Sequence, residues 1–255
     1  MKLLRDTWLV FQRYFSIFIH NPAWVAVGVV QPALYLFLFA PLLKEIVSAH
    51  LPGFPAGGAY NVFVPGLLVQ LGIFGASGVG FNLIAELREG VIERLRVTPV
   101  SRLALLLGRA LRDTLTLLVQ SLILLLLGLP FGLSIGPVGI VVVLALVGLI
   151  GLLFSSVSYW LALILRDENS FAPVIFTAAL PLLLLSGVLL PMSLAPKWLQ
   201  VISTLNPLSH AVTAARSIAL GSIATSNVGI GFLIIAVLAV LAVMGAARAF
   251  GRAIA

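Results

Sequence analysis

The densest chemistry in this sequence is a charged run, Glu86-Leu-Arg-Glu-Gly-Val-Ile-Glu-Arg-Leu-Arg-Val-Thr-Pro99. Carboxylates and guanidinium groups packed this closely suit ion pairing with a second protein surface. Leu87, Val91 and Leu95 add a narrow apolar stripe at four-residue spacing, which predicts a short amphipathic helix ended by Pro99. A smaller charged set, Arg166, Asp167 and Glu168, lies further along the chain. Nucleophilic chemistry has one candidate: Ser77 in Gly75-Ala76-Ser77-Gly78, with His210 as base, an arrangement for an intramembrane serine protease. Against it, Gly72, Gly75, Ala76 and Gly80 suit close helix packing, and His210 falls in a short segment outside the apolar runs. There is no cysteine, and the three histidines form no metal-ligand spacing, so thiol and metal chemistry are not expected. The lysines are Lys2, Lys44 and Lys197, and none follows a glycine. The chain therefore has no G-x-x-x-x-G-K-[ST] phosphate loop, and any nucleotide hydrolysis must happen on another polypeptide.

The elements that carry these residues are apolar. Only 9% of the 255 residues are charged, 61% are hydrophobic, and mean hydropathy is +1.20. A water-exposed globule carries roughly 25% charged residues, so most of this surface must meet lipid or other helices. The runs are apolar all round, which excludes a membrane barrel with its two-residue alternation. At ~1.5 Å per residue, about 20 residues cross the hydrocarbon core. Six stretches qualify: 23–43, 62–85, 114–131, 138–165, 171–190 and 228–247. The fold class expected is all-α, multi-pass. Ahead of the spans, residues 1–21 form their own unit and residues 22–255 the transmembrane domain. In the first unit Leu4, Trp8, Phe11, Phe15 and Phe18 oppose Arg5, Gln12, Arg13, Ser16 and His20, as in a helix lying in the membrane interface. A cleaved signal peptide ending near Val47-Ser48-Ala49 fits less well, because signal cores run 7–15 residues.

Net charge is +7, but the cations sit at the ends of apolar runs and set orientation; no nucleic-acid face is expected. Six spans put twelve Lys and Arg on the side of both termini and three (Lys44, Lys197, Arg216) on the other. The termini are thus expected in the cytoplasm, with the chain in the cytoplasmic (inner) membrane. As drawn, no span contains Asp, Glu, Lys, Arg or His. A proton-coupled transporter needs such a group, so an ATPase-independent secondary transporter or channel is the weaker functional alternative.

The charged run resembles the signature of ABC-2 type transporter permeases, R-E-x-G-T-x-E-x-L-x-x-x-P-x-S. Here it reads Arg88-Glu89-Gly90-Val91-Ile92-Glu93-Arg94-Leu95-Arg96-Val97-Thr98-Pro99-Val100-Ser101. Val91 replaces the usual Thr, and one residue is missing between Glu89 and Gly90. A second block, Ser186-Gly187-Val188-Leu189-Leu190-Pro191-Met192-Ser193-Leu194-Ala195-Pro196-Lys197-Trp198-Leu199, is similar to the family's S-G-x-x-x-P-x-x-x-x-P-x-W-L run. Asn206-Pro207-Leu208 and Arg216 follow it, and Val64-Pro65-Gly66 matches the P-G opening the second span. The likeness is greatest to the drug- and lipid-export branch that includes daunorubicin-resistance permeases.

The resemblance implies a non-enzymatic permease pairing with a second copy or a paralogue. Two separate ATPase subunits would bind ATP and Mg. Glu86, Arg88, Glu89, Gly90, Glu93, Arg94, Leu95, Arg96 and Pro99 would form the coupling helix, with Arg166, Asp167 and Glu168 as a secondary contact. Gly187, Pro191, Pro196, Trp198 and Pro207 would shape short re-entrant external helices between spans five and six. No intramembrane charge implies a hydrophobic or amphipathic cargo, a drug or lipid, that leaves laterally into membrane lipid.

Overall fold

An apolar run in lipid can satisfy its backbone N–H and C=O groups only internally, which selects helix. The computed structural model describes residues 2–19, 23–39, 41–42, 58–91, 101–189 and 191–253; it is 88% helical, with no strand among them. The helices are α1 (Lys2–Ile19), α2 (Ala23–Leu34), α3 (Ala59–Ser77), α4 (Val79–Arg88), α5 (Arg102–Gly128), α6 (Pro137–Leu165), α7 (Glu168–Leu185), α8 (Lys197–Leu205), α9 (Pro207–Ala219) and α10 (Ser226–Ala253). Among the described residues, five stretches are long and apolar enough to cross a membrane: Ala59–Arg88, Leu103–Phe131, Pro137–Leu165, Glu168–Leu185 and Ser226–Gly251.

Within the expected first span, 23–43, α2 contains Pro32 and passes into a π turn over Tyr35–Phe39, and residues 40 and 43–57 lie outside the described set. The third span, expected at 114–131, is not the whole of its helix. Its helix starts at Arg102, capped by the Ser101 hydroxyl, which accepts from the Ala104 amide at 3.2 Å. Arg109, Arg112 and Asp113 are therefore inside a packed helix, tolerated because each finds an opposite charge. Nor is the charged run one helix from Glu86: Gly90 takes φ 69° after α4 ends at Arg88. That left-handed conformation suits glycine and stops α4. Glu93, Arg94, Leu95, Arg96 and Pro99 lie outside the described residues.

The central rod is α6, which packs against α3, α4, α5, α9 and α10. α3 is almost wholly buried beside it, so an all-round apolar sequence meets an all-round apolar environment. α7 sits at the edge and buries only Phe171, Ile175, Ala179 and Leu183, one stripe at four-residue spacing. α1 has three faces rather than two. Val10 and Tyr14 are buried against the bundle along with Asp6 and Thr7; Leu4 and Trp8 face outward; Arg5, Gln12 and Arg13 occupy the third side. Contact with α5 is close because Gly108 has no side chain, and a Cβ there would fall 2.6 Å from Val10 Cγ1.

α3 and α4 form one rod broken at Gly78. Across the break the Ser158 hydroxyl of α6 donates to the Ser77 carbonyl (2.6 Å) and accepts from the Gly80 amide (2.8 Å). A side chain has entered the helical ladder, which is a recognised cause of kinks. Gly80 is glycine for want of space: a Cβ would lie 2.4 Å from the Phe171 ring. Substituting Ser158→Ala should strip partners from two buried backbone groups and lower unfolding free energy by about 1–3 kcal/mol, read as an earlier thermal midpoint in detergent. Gly108→Leu should displace α1 at a cost of ~1–3 kcal/mol, seen as faster proteolysis of the N-terminal helix.

Candidate functional site

At the charged end of the bundle, side chains from four helices converge. Glu86, on the last turn of α4, accepts from the Tyr14 hydroxyl at 3.0 Å and from Arg109 Nη2 at 2.5 Å. Arg109 is 3% exposed at its side chain and its guanidinium lies 4.8 Å from the Tyr14 ring centre, a cation–π contact. One turn on, Arg112 Nε lies 3.0 Å from Asp113 Oδ1, and the buried Tyr159 hydroxyl of α6 donates to Asp113 Oδ2. Burial pushes the Tyr14 hydroxyl up to about 12, with Arg109 opposing and Glu86 reinforcing the shift. Tyr14 therefore stays a donor at neutral pH, and its proton sits on the side facing Glu86. Removing one member of a buried pair leaves the other unpaired at a cost of several kcal/mol, so these groups hold α1, α4, α5 and α6 in one arrangement.

A separate ion pair joins the charged run to the secondary set. Arg88 Nη1 lies 3.5 Å from Glu168 Oε1, a half-exposed pair that aligns the ends of α4 and α7 but adds little stability. Asp167 caps α7, accepting from the Ser170 amide and hydroxyl at 2.9 Å, and those bonds hold its carboxyl below the usual range. Arg166 ends α6 in a left-handed conformation, and Glu89 and Gly90 form the turn after α4. Tyr14, Arg109, Arg112, Asp113 and Tyr159 were missed as site residues. Arg109 and Arg112 read as orientation charges, and only the spacing of Arg109, Arg112 and Asp113 on a helix hinted at a shared face.

At the opposite end, the second motif block folds onto the start of α3, where Val64-Pro65-Gly66 lies. Arg216 of α9 donates to the carbonyls of Val62 (2.9 Å) and Gly187 (2.7 Å). Gly187 has φ 74°, and a Cβ on Gly66 would lie 2.4 Å from the Val188 oxygen. Pro191 opens a 3-10 turn, Pro196 precedes α8, and Pro207 is the first residue of α9 behind the Asn206 cap. Trp198 is 65% exposed on α8, beside Val201 and Leu205, an outward apolar face. Ser77 and His210 each have local duties: the Ser77 hydroxyl donates to Ile73 O, and the His210 ring meets Thr204 O at 3.1 Å. Neither bond is with the other, and the protease geometry is not built.

Helices of this length and apolarity, with charged groups gathered at one end, define a multi-pass membrane protein. Residues 5–220 match the family ABC-2 type transporter, and the chain belongs to that family. It is thus a transmembrane permease of an ABC transporter. Among similar proteins, ycf38 of Cyanophora paradoxa is 29% identical over 215 residues, covering 84% of this chain and 73% of that protein. The daunorubicin resistance ABC transporter permease protein DrrB1 of Streptomyces coeruleorubidus is 26% identical over 227 residues, covering 84% and 74%. DrrC of Mycobacterium tuberculosis, a permease named for doxorubicin resistance, is 27% identical over 198 residues, covering 76% and 69%.

Arg109→Met alone should destabilise the protein by about 3–5 kcal/mol, because Glu86 keeps its charge without its partner. Combined with Glu86→Leu, much of that loss should return, and a double-mutant cycle of thermal unfolding in detergent measures the difference.

Proposed function

We propose that this chain is the permease subunit of an ATP-driven exporter that moves a hydrophobic or amphipathic drug or lipid across the cytoplasmic membrane. The charged end faces the cytoplasm, as the excess of Lys and Arg there supports, with both termini on that side. Two ATPase subunits dock there, carrying ATP and Mg, and a second permease copy or paralogue completes the pore. The chain has no phosphate loop, so its part is mechanical.

The observation that carries this reading is Glu86. It stands where the docking segment 86–99 begins and is tied to α1 by Tyr14 and to α5 by Arg109. A push on Glu89, Gly90, Glu93, Arg94, Leu95, Arg96 or Pro99 is passed through that carboxylate into two helices at once. Arg88 and Glu168 carry the same displacement toward α7, with Arg166 and Asp167 in the adjoining turn. The relatives named for anthracycline resistance support an apolar cargo.

Purification of the tagged chain in mild detergent should bring down a stoichiometric P-loop ATPase. Glu89→Arg and Glu93→Arg should abolish its capture while the permease stays folded. Transport by the purified chain alone, driven by an ion gradient and indifferent to ATP, would refute the proposal.

A further inference from the structure

Between α6 and α10, near the charged end, runs an open groove of about 670 Å³ that plays no part in the network around Glu86. Its walls are apolar: Val157 and Trp160 on α6, Leu241 and Met244 on α10, with Trp160 lying over Gly245. A Cβ on Gly245 would come 3.0 Å from the indole, so glycine lets Trp160 lie close against α10 as one wall of the groove. It extends from Leu153 to Arg166, which at ~1.5 Å per residue is about 20 Å, comparable with one leaflet's share of a ~30 Å hydrocarbon core.

Two arginines, Arg166 and Arg248, line it. Neither has a carboxylate partner among the described residues: Asp167 is committed to Ser170, Glu168 to Arg88, Glu86 to Arg109. Arg166 spends one nitrogen on the Leu163 carbonyl at 3.2 Å. It is also the one non-glycine residue with positive φ among those described, 53°, at a helix end where glycine is easiest. Unpaired guanidinium groups beside a leaflet-deep apolar slot match an anionic headgroup joined to an acyl chain.

We infer that the α6–α10 groove is a binding site for an anionic glycerophospholipid, its chain along Val157, Trp160 and Leu241 and its phosphate at Arg166 and Arg248. The lipid is a resident of the leaflet beside the charged end, distinct from the cargo, and the inference stands independently of ATPase coupling. The full-length protein, delipidated in detergent, is titrated with phosphatidylglycerol or phosphatidylcholine of the same chains and followed by native mass spectrometry. One phosphatidylglycerol should bind per chain about tenfold more tightly than phosphatidylcholine. Arg166→Gln with Arg248→Gln should erase the preference, and Arg248→Gln alone, which leaves the α6 end intact, should weaken it. Arg248→Lys should keep most of it. Equal binding of the two lipids, or a preference unchanged in the double glutamine variant, overturns the site. So does a shift from dimer to monomer in that variant without any change in lipid binding, because the groove then seats a second copy.

Discussion

A guanidinium removed from water must find acceptors that replace it, and for Arg109 the acceptor is the negative charge of Glu86. The pairing sets much else. It allows α5 to run unbroken from Arg102 through a stretch containing three ionisable residues. It ties the final turn of α4, where Glu86 lies, to α5, and it gives α1 a polar anchor through Tyr14. With the Arg112–Asp113–Tyr159 cluster one turn deeper, it makes the charged end a place where four helices share a few side chains. Low dielectric raises the stakes: each member stabilises the arrangement mainly because its loss would strand the others.

The opposite end solves the same problem with neutral partners. Arg216 has no carboxylate partner among the described residues and is held by backbone carbonyls of Val62 and Gly187. Gly187 turns with positive φ, and Gly66 lets the Val188 carbonyl come against α3. Sequence blocks more than a hundred residues apart are thereby one physical unit: a turn that exposes oxygens, a small residue that admits it, and a cation that gathers both.

Much of the architecture was readable from hydropathy alone. Runs of apolar residues without polar alternation admit only helix, and the ends of 138–165 and 228–247 fall within six residues of those of α6 and α10. The site was less readable for a physical reason. Arg109, Arg112 and Asp113 look like a solvated flank because hydropathy weighs each charge singly and has no term for a partner 23 residues away in sequence. Tyr14 was hidden differently: an amphipathic pattern has two faces, whereas α1 lies at a three-way boundary of protein, lipid and water. Its Val10–Tyr14 face belongs to the protein. The break after Ser77 was likewise invisible, since it depends on a hydroxyl supplied by another helix.

That break has a mechanical meaning. An unbroken α-helix resists bending through a ladder of i to i−4 bonds; at Gly78 the ladder is carried by one rotatable hydroxyl from α6. The rod is stiff along its length and compliant at a single point. Bending load on the rod falls on that joint, because the α3 segment is packed on nearly all sides by its neighbours. The angle at which the two segments of the rod meet is thereby written into a neighbouring helix, at one serine, and not into the rod's own sequence.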